Sequence, residues 1–176
     1  MDDSSQVRIE KINTIIGECR LAIHDVSRTE LDHGSGLPRF NMPFEFGIFA
    51  GAKAFGGREQ RRKACVVFDV ERYRYQQFIS DIAGQDIREH HGNAELLIQQ
   101  VRDFLSCHHP SAVFLPGGRA IAARYLACVQ QVTRSCVDLR LNRDALTYRD
   151  LANLIVGWID LNPLPHHVHH GVQKAA

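Results

Sequence analysis

Four residues carry the chemistry this chain could perform: Asp25, Ser27, Glu45 and Asp69. Carboxylates that converge in one cleft can serve as general acid and base, as nucleophile, or as counter-charge to a cationic transition state. Asp25 ends the apolar run Leu21-Ala22-Ile23 and Ser27 follows two residues later, while Asp69 ends Ala64-Cys65-Val66-Val67-Phe68. Both runs lack alternation, as strands do when each face of a parallel sheet is covered. In open sheets of that kind the ligand crevice lies beyond the carboxyl ends of the strands. Glu45 falls in the first turn of the next helix and so belongs near the same rim. The alternative is structural, with Asp25 and Asp69 as cap or turn residues and Glu45 complementing a helix dipole.

Other candidate groups are weaker. The cluster His166-His167-Val168-His169-His170 could chelate Zn²⁺ or Ni²⁺, but no cysteine or carboxylate adjoins it, and no metal site is expected. His90-His91 and His108-His109 stand at element ends and are expected to face solvent, while His24 is expected to be a satisfied structural histidine beside Asp25. Leu115-Pro116-Gly117-Gly118-Arg119 lacks the Lys-Ser/Thr of a P-loop and the three-glycine dinucleotide fingerprint, so it reads as punctuation before a helix. The five cysteines are widely spaced with no C-x-x-C pair, as expected of small buried hydrophobes in a reducing, cytoplasmic compartment.

The elements that must position these residues follow from periodicity and punctuation. Val7 to Glu18 predicts a helix, with Val7, Ile12, Ile15 and Ile16 on one side. Arg28 to Arg39 holds Asp32, Gly34, Ser35, Gly36 and Pro38 and reads as a long loop. Asn41 can cap the helix Met42 to Ala54, where Gly47, Ala50, Gly51 and Ala54 form a face without bulk, suited to close backbone packing. Arg58 to Lys63 reads as a solvated turn and Arg72 to Ala83 as a helix. Asp86 to His90 is a possible edge strand, and Asn93 caps a helix bearing Leu97, Val101, Phe104 and Leu105. Beyond Pro110 two helices dominate, about Gly118 to Val137 and Tyr148 to Asp160. The second opens on Thr147-x-x-Asp150 and is expected to bury Leu151, Leu154, Ile155 and Trp158.

This alternation predicts an α/β fold, three-layered and flavodoxin-like with a parallel sheet, over residues 1–110. A helical extension over 111–165 and a frayed tail over 166–176 complete it. With 44% hydrophobic and 23% charged residues in a chain of 176, a globular core is affordable. Lys+Arg 21 against Asp+Glu 20 provides no field for a nucleic-acid polymer, and no segment is apolar enough to span a membrane.

Two ordered segments carry a family resemblance. Asp25-Val26-Ser27, a polar loop, then Phe44-Glu45-Phe46-Gly47 resembles nucleoside 2-deoxyribosyltransferase-like proteins and the superfamily they share with TIR-domain NAD hydrolases. Cys65 to Asp69 with Tyr73 to Gly84 is similar to bacterial members of unassigned role. The resemblance spans about residues 5 to 105. It implies cleavage of an N-glycosidic bond in a nucleoside, nucleotide or NAD, by hydrolysis or deoxyribosyl transfer. Glu45 would act at the anomeric carbon, and Asp25 would bind or protonate the departing base. Ser27, Asn41, Phe44 and Asp69 would contact substrate; NAD would be a substrate, and no cofactor is implied. Phe40, Phe44 and Phe46 could wall the site, and Tyr73 and Tyr75 could stack on a base. Family members also carry a strand before the first helix. Its absence here is expected to thin the sheet and to leave an unpaired edge that favours self-association. The alternative on the same scaffold is a nucleotide-sensing or protein-interaction module without the reaction.

Overall fold

The structure, a computed structural model, describes residues 7–32, 34, 36–108 and 115–164. His109 and the histidine cluster at 166–170 lie outside them. The described chain is mixed α/β: α1 (Arg8–Glu18), β1 (Leu21–Asp25), α2 (Asn41–Phe55), α3 (Arg58–Arg61), β2 (Ala64–Asp69), β3 (Arg88–Glu89), α4 (Ala94–His108), α5 (Gly118–Asp138) and α6 (Tyr148–Leu161). It divides into two compact units, 2–122 and 123–176, with the division inside α5.

The first unit is built on a three-stranded parallel sheet of order β1-β2-β3. Leu21 pairs with Ala64 and Asp25 with Phe68, while Phe68 pairs with Arg88 on its other side. β2 is therefore central, which accounts for its four buried residues in succession, Val66 to Asp69. Side chains alternate across a strand, so β2 serves two apolar clusters. Val67 packs with Val26, Phe46 and Tyr75, and Val66 and Phe68 pack with Phe104, Leu97 and Val101 of α4. The strand order runs one way without reversal, so the described sheet has no topological switch point of the kind that opens a crevice in doubly wound folds.

Several local expectations are corrected by long-range contacts. Residues 72–83 form two 3₁₀ turns, Arg74–Gln77 and Ser80–Ile82, rather than a helix. Tyr73 adopts a left-handed conformation (φ 64°) that halts helical propagation, while the Arg74 side chain turns back to the strand ends. Lys63, expected in solvent, is 3% exposed. Its ammonium donates to the Ile16 and Cys19 carbonyls at the C-terminal end of α1, where the helix dipole and orphan carbonyls favour a cation. Cys19 and Cys107 are exposed and only Cys136 is buried, because apolar neighbours in sequence do not decide which way a thiol points.

On the small-residue face of α2 Ala50 packs against the core, whereas Gly47 and Gly51 meet no described neighbour. A methyl group added at Gly47 or Gly51 would meet nothing within 4 Å, so these glycines are not there for a close approach to a described neighbour. Gly51→Ala is accordingly expected to stabilise the fold by about 0.5–1 kcal/mol through helix propensity and reduced chain entropy. A thermal midpoint that falls in this variant would refute that. Gly56, which ends α2, is the contrasting case. A Cβ there would collide with the Ala52 carbonyl and the Gln60 side chain.

In the second unit, the Thr147–Asp150 capping box forms as expected and starts α6. No α6 residue is fully buried, and Leu151 is 40% exposed, so the apolar stripe read as core is only partly covered. The groove between α5 and α6 holds a cavity of about 560 Å³ lined by Gln131, Ser135, Asn153, Trp158 and Asn162 among others.

Candidate functional site

The strand ends gather charged groups on both faces of the sheet. Asp25, the last residue of β1, accepts the Ser27 N–H at Oδ1 (3.0 Å), an Asx-type turn that carries the chain off the strand. His90, the residue after β3, places Nε2 3.6 Å from the same Oδ1. The imidazole is buried rather than solvent-facing, because β3 joins the sheet and carries His90 over the end of β2. Its backbone N–H bonds Asp69 O and the next residue's bonds Val70 O, both at 3.0 Å. The Asp25 side chain stays 40% exposed, so the pair has one buried and one open member.

Asp69 leaves β2 toward the other face and is fully buried. Arg74 holds its Oδ1 at 2.6 Å and also donates to the carbonyls of Val26 and Ser27, at 3.2 and 2.7 Å. One guanidinium thus ties the ends of β1 and β2 together. Asp69, a candidate for substrate contact by sequence, is closed off from ligand by that pairing. Ser27 contributes its backbone N–H to Asp25 and its carbonyl to Arg74.

Glu45 and Asn41 are placed elsewhere. With Phe44 and with Arg8, Ile9 and Ile12 of α1, they line a cavity of about 210 Å³; Asp25, Ser27 and Asp69 do not line it. Glu45 is half-buried and makes no hydrogen bond or ion pair with the described residues. Asn41 is the first residue of α2 rather than its cap, the position before it being Phe40, with no side-chain cap. Phe44 is 59% exposed, whereas Phe46 lies in the core against His24 and Tyr75 is buried beside it. Tyr73 is exposed, under the Arg72 guanidinium.

His24 is not the satisfied histidine expected. Neither ring nitrogen has a partner, and the ring packs edge-on to Phe46 and Phe49 at 5.3 and 5.4 Å. Burial without compensation pushes its pKa down from 6.5 to about 4. Among the described residues no cluster of three or more His, Cys, Asp or Glu could hold a metal ion, and no helix is long and apolar enough to cross a membrane.

Sequence reasoning missed His90 and Arg74. A signal existed for the first: like Asp25 and Asp69, it closes a stretch that reads as a strand, here two residues before Gly92. For Arg74 no local pattern exists. These observations define a mixed α/β chain with a parallel sheet whose strand ends carry an open carboxylate backed by a histidine. No protein-family model, curated protein or solved structure matches this chain.

Proposed function

We propose that the chain cleaves the N-glycosidic bond of a nucleoside, nucleotide or NAD, by hydrolysis or deoxyribosyl transfer, on a scaffold of the three-layer flavodoxin-like kind. The observation that carries this reading is the half-buried Glu45 carboxylate in the first turn of α2, without a hydrogen bond or ion pair to the described residues and walled by Phe44 and Ile12. A carboxylate beside a sugar ring that flattens and becomes cationic at the anomeric carbon stabilises it most where apolar groups exclude water. Glu45 would act there as nucleophile or counter-charge, with Asn41 and Phe44 contacting substrate. Asp25, with its outer surface open, would meet the base, and Ser27 would flank it. Self-association through the outer edge of β1, which pairs with no described strand, belongs to the same reading.

Purified chain incubated with NAD and a panel of ribo- and deoxynucleosides is expected to release nicotinamide or free base. Glu45→Gln is expected to abolish release, by at least about a hundredfold, with an unchanged thermal midpoint. Undiminished turnover in that variant would sink the proposal.

A second reading is favoured by one observation. The Glu45 cavity, at about 210 Å³, is smaller than the roughly 300–1,000 Å³ usual for small-molecule sites, and Asp25 lies outside its lining. A module that binds a nucleotide without cleaving it fits that division. Calorimetric binding of NAD or adenosine, with the ligand intact after prolonged incubation, would select this reading over catalysis.

A further inference from the structure

The His90 imidazole has more structure around it than a filler of space requires. Its side chain is 9% exposed, and Nε2 is fully enclosed yet has no hydrogen-bond partner. An enclosed polar atom left unpaired is costly, so the group that faces it is informative. That group is Asp25 Oδ1, at 3.6 Å, a separation that a small movement of either side chain turns into a hydrogen bond.

The other ring nitrogen is fixed by the backbone. Gly92 N–H donates to His90 Nδ1 at 3.0 Å. The turn that delivers this donor is made by two successive left-handed residues, His91 (φ 52°) and Gly92 (φ 70°). Left-handed backbone is unfavourable for a residue with a Cβ, so His91 holds it only because its own N–H bonds Val70 O and the chain is pinned on both sides. With Nδ1 occupied as an acceptor, the ring proton resides on Nε2, the nitrogen that lies 3.6 Å from the carboxylate. Asp25 Oδ1 therefore faces two donors, the Ser27 N–H and the His90 Nε2–H, while the side chain as a whole stays 40% exposed.

We propose that His90 is a positioning residue for Asp25, a buried donor that orients the carboxylate at the sheet edge and leaves its outer oxygen to accept an N–H or O–H of a bound nucleoside's base. This rests on the reading of Asp25 as the residue that meets the base, and it sharpens that reading. A carboxylate held by two donors binds a donor-bearing base edge, such as an exocyclic amine or carboxamide, rather than delivering a proton to it. A serine turn, a strand-end carboxylate and a strand-end histidine thus form one unit, with His90 acting only through Asp25.

The test has two arms that fail separately. Nitrogen NMR of the full chain labelled in histidine, with His90→Gln used to assign the signal, is expected to show a neutral ring protonated at Nε2. Its Nε2 signal is expected to shift in Asp25→Asn. A proton on Nδ1, whether in the other tautomer or in a doubly protonated ring, overturns the proposal, as does a signal indifferent to Asp25→Asn. The tautomer is read on the unaltered chain, so misfolding of a variant cannot obscure it. In the base-release assay, His90→Gln, which restores a donor near the Nε2 position, is expected to stay within about threefold of the parent. His90→Leu is expected to lose about tenfold or more in kcat/KM, carried by a higher KM. His90→Leu with the parent kcat/KM overturns the positioning role. If the parent releases no base from any member of the panel, the glycosidase reading fails while the nitrogen signals still decide the pair.

Discussion

Arg74→Met is expected to destabilise the protein by about 3–5 kcal/mol, the largest effect of any single change considered, because it strands a buried charge. Asp69 has no exposed surface, and its Oδ1 is held by the Arg74 guanidinium at 2.6 Å. Oδ2 already lacks a partner, so no other side chain stands ready to take over. The same guanidinium donates to Val26 O and Ser27 O, which would also be left unpaired at the end of β1. The double replacement Asp69→Leu with Arg74→Met removes both charges together and is expected to recover part of the loss, the remainder being the Val26 and Ser27 carbonyls and the Val70 N–H, which donates to Asp69 Oδ1 at 2.7 Å, left without their partners. Urea unfolding of the parent, both single variants and the double variant measures the coupling. Additive losses across that cycle would show that the pair does not act as a unit.

The second large effect is a dependence of stability on pH set by His24. In the native state burial lowers its pKa to about 4 from the unfolded value of 6.5. Between those values the unfolded chain binds a proton that the native state refuses, so stability rises with pH across this window and falls as pH is lowered through it. The loss is expected to be small at pH 7, about 2 kcal/mol by pH 5 and about 3 kcal/mol by pH 4. His24→Leu keeps the contacts with Phe46 and Phe49, removes two unpartnered ring nitrogens, and should flatten this contribution while leaving neutral-pH stability at least as high. Chemical unfolding of parent and variant at pH 7.5 and pH 5 isolates the effect, because the other titrating groups are common to both. Equal slopes in the two proteins would refute it.

Both effects arise at positions where local sequence is silent, and the same holds for the site. Helix α4 was legible from Leu97, Val101, Phe104 and Leu105 at helical spacing, and its start from Asn93, whose side chain accepts the Leu96 N–H at 3.1 Å. The start of α6 was legible from Thr147 and Asp150, which cap one another as the spacing requires. The strand-end placement of Asp25 and Asp69 was likewise readable, since each closes a run of apolar residues. What was not readable is that one of them stays open and the other is closed by Arg74. Nor was it readable that Glu45 opens into a cavity with α1 rather than beside Asp25.

By itself, then, the sequence determined the alternation of α1, β1, α2, β2 and α4, the parallel sheet that follows from it, and the candidate carboxylates at helix starts and strand ends. These features rest on interactions within about one helical turn or along one strand, where periodicity, caps and turn residues write them directly. Only the tertiary structure decided that Lys63 caps a helix 47 residues away, that Arg74 reaches across 48 residues to the end of β1, and that His90 is buried behind Asp25. These contacts join groups far apart in sequence that strand pairing places side by side. A guanidinium or an imidazole finds its partner by proximity in the folded chain, and nothing in its own sequence neighbourhood specifies which partner that will be.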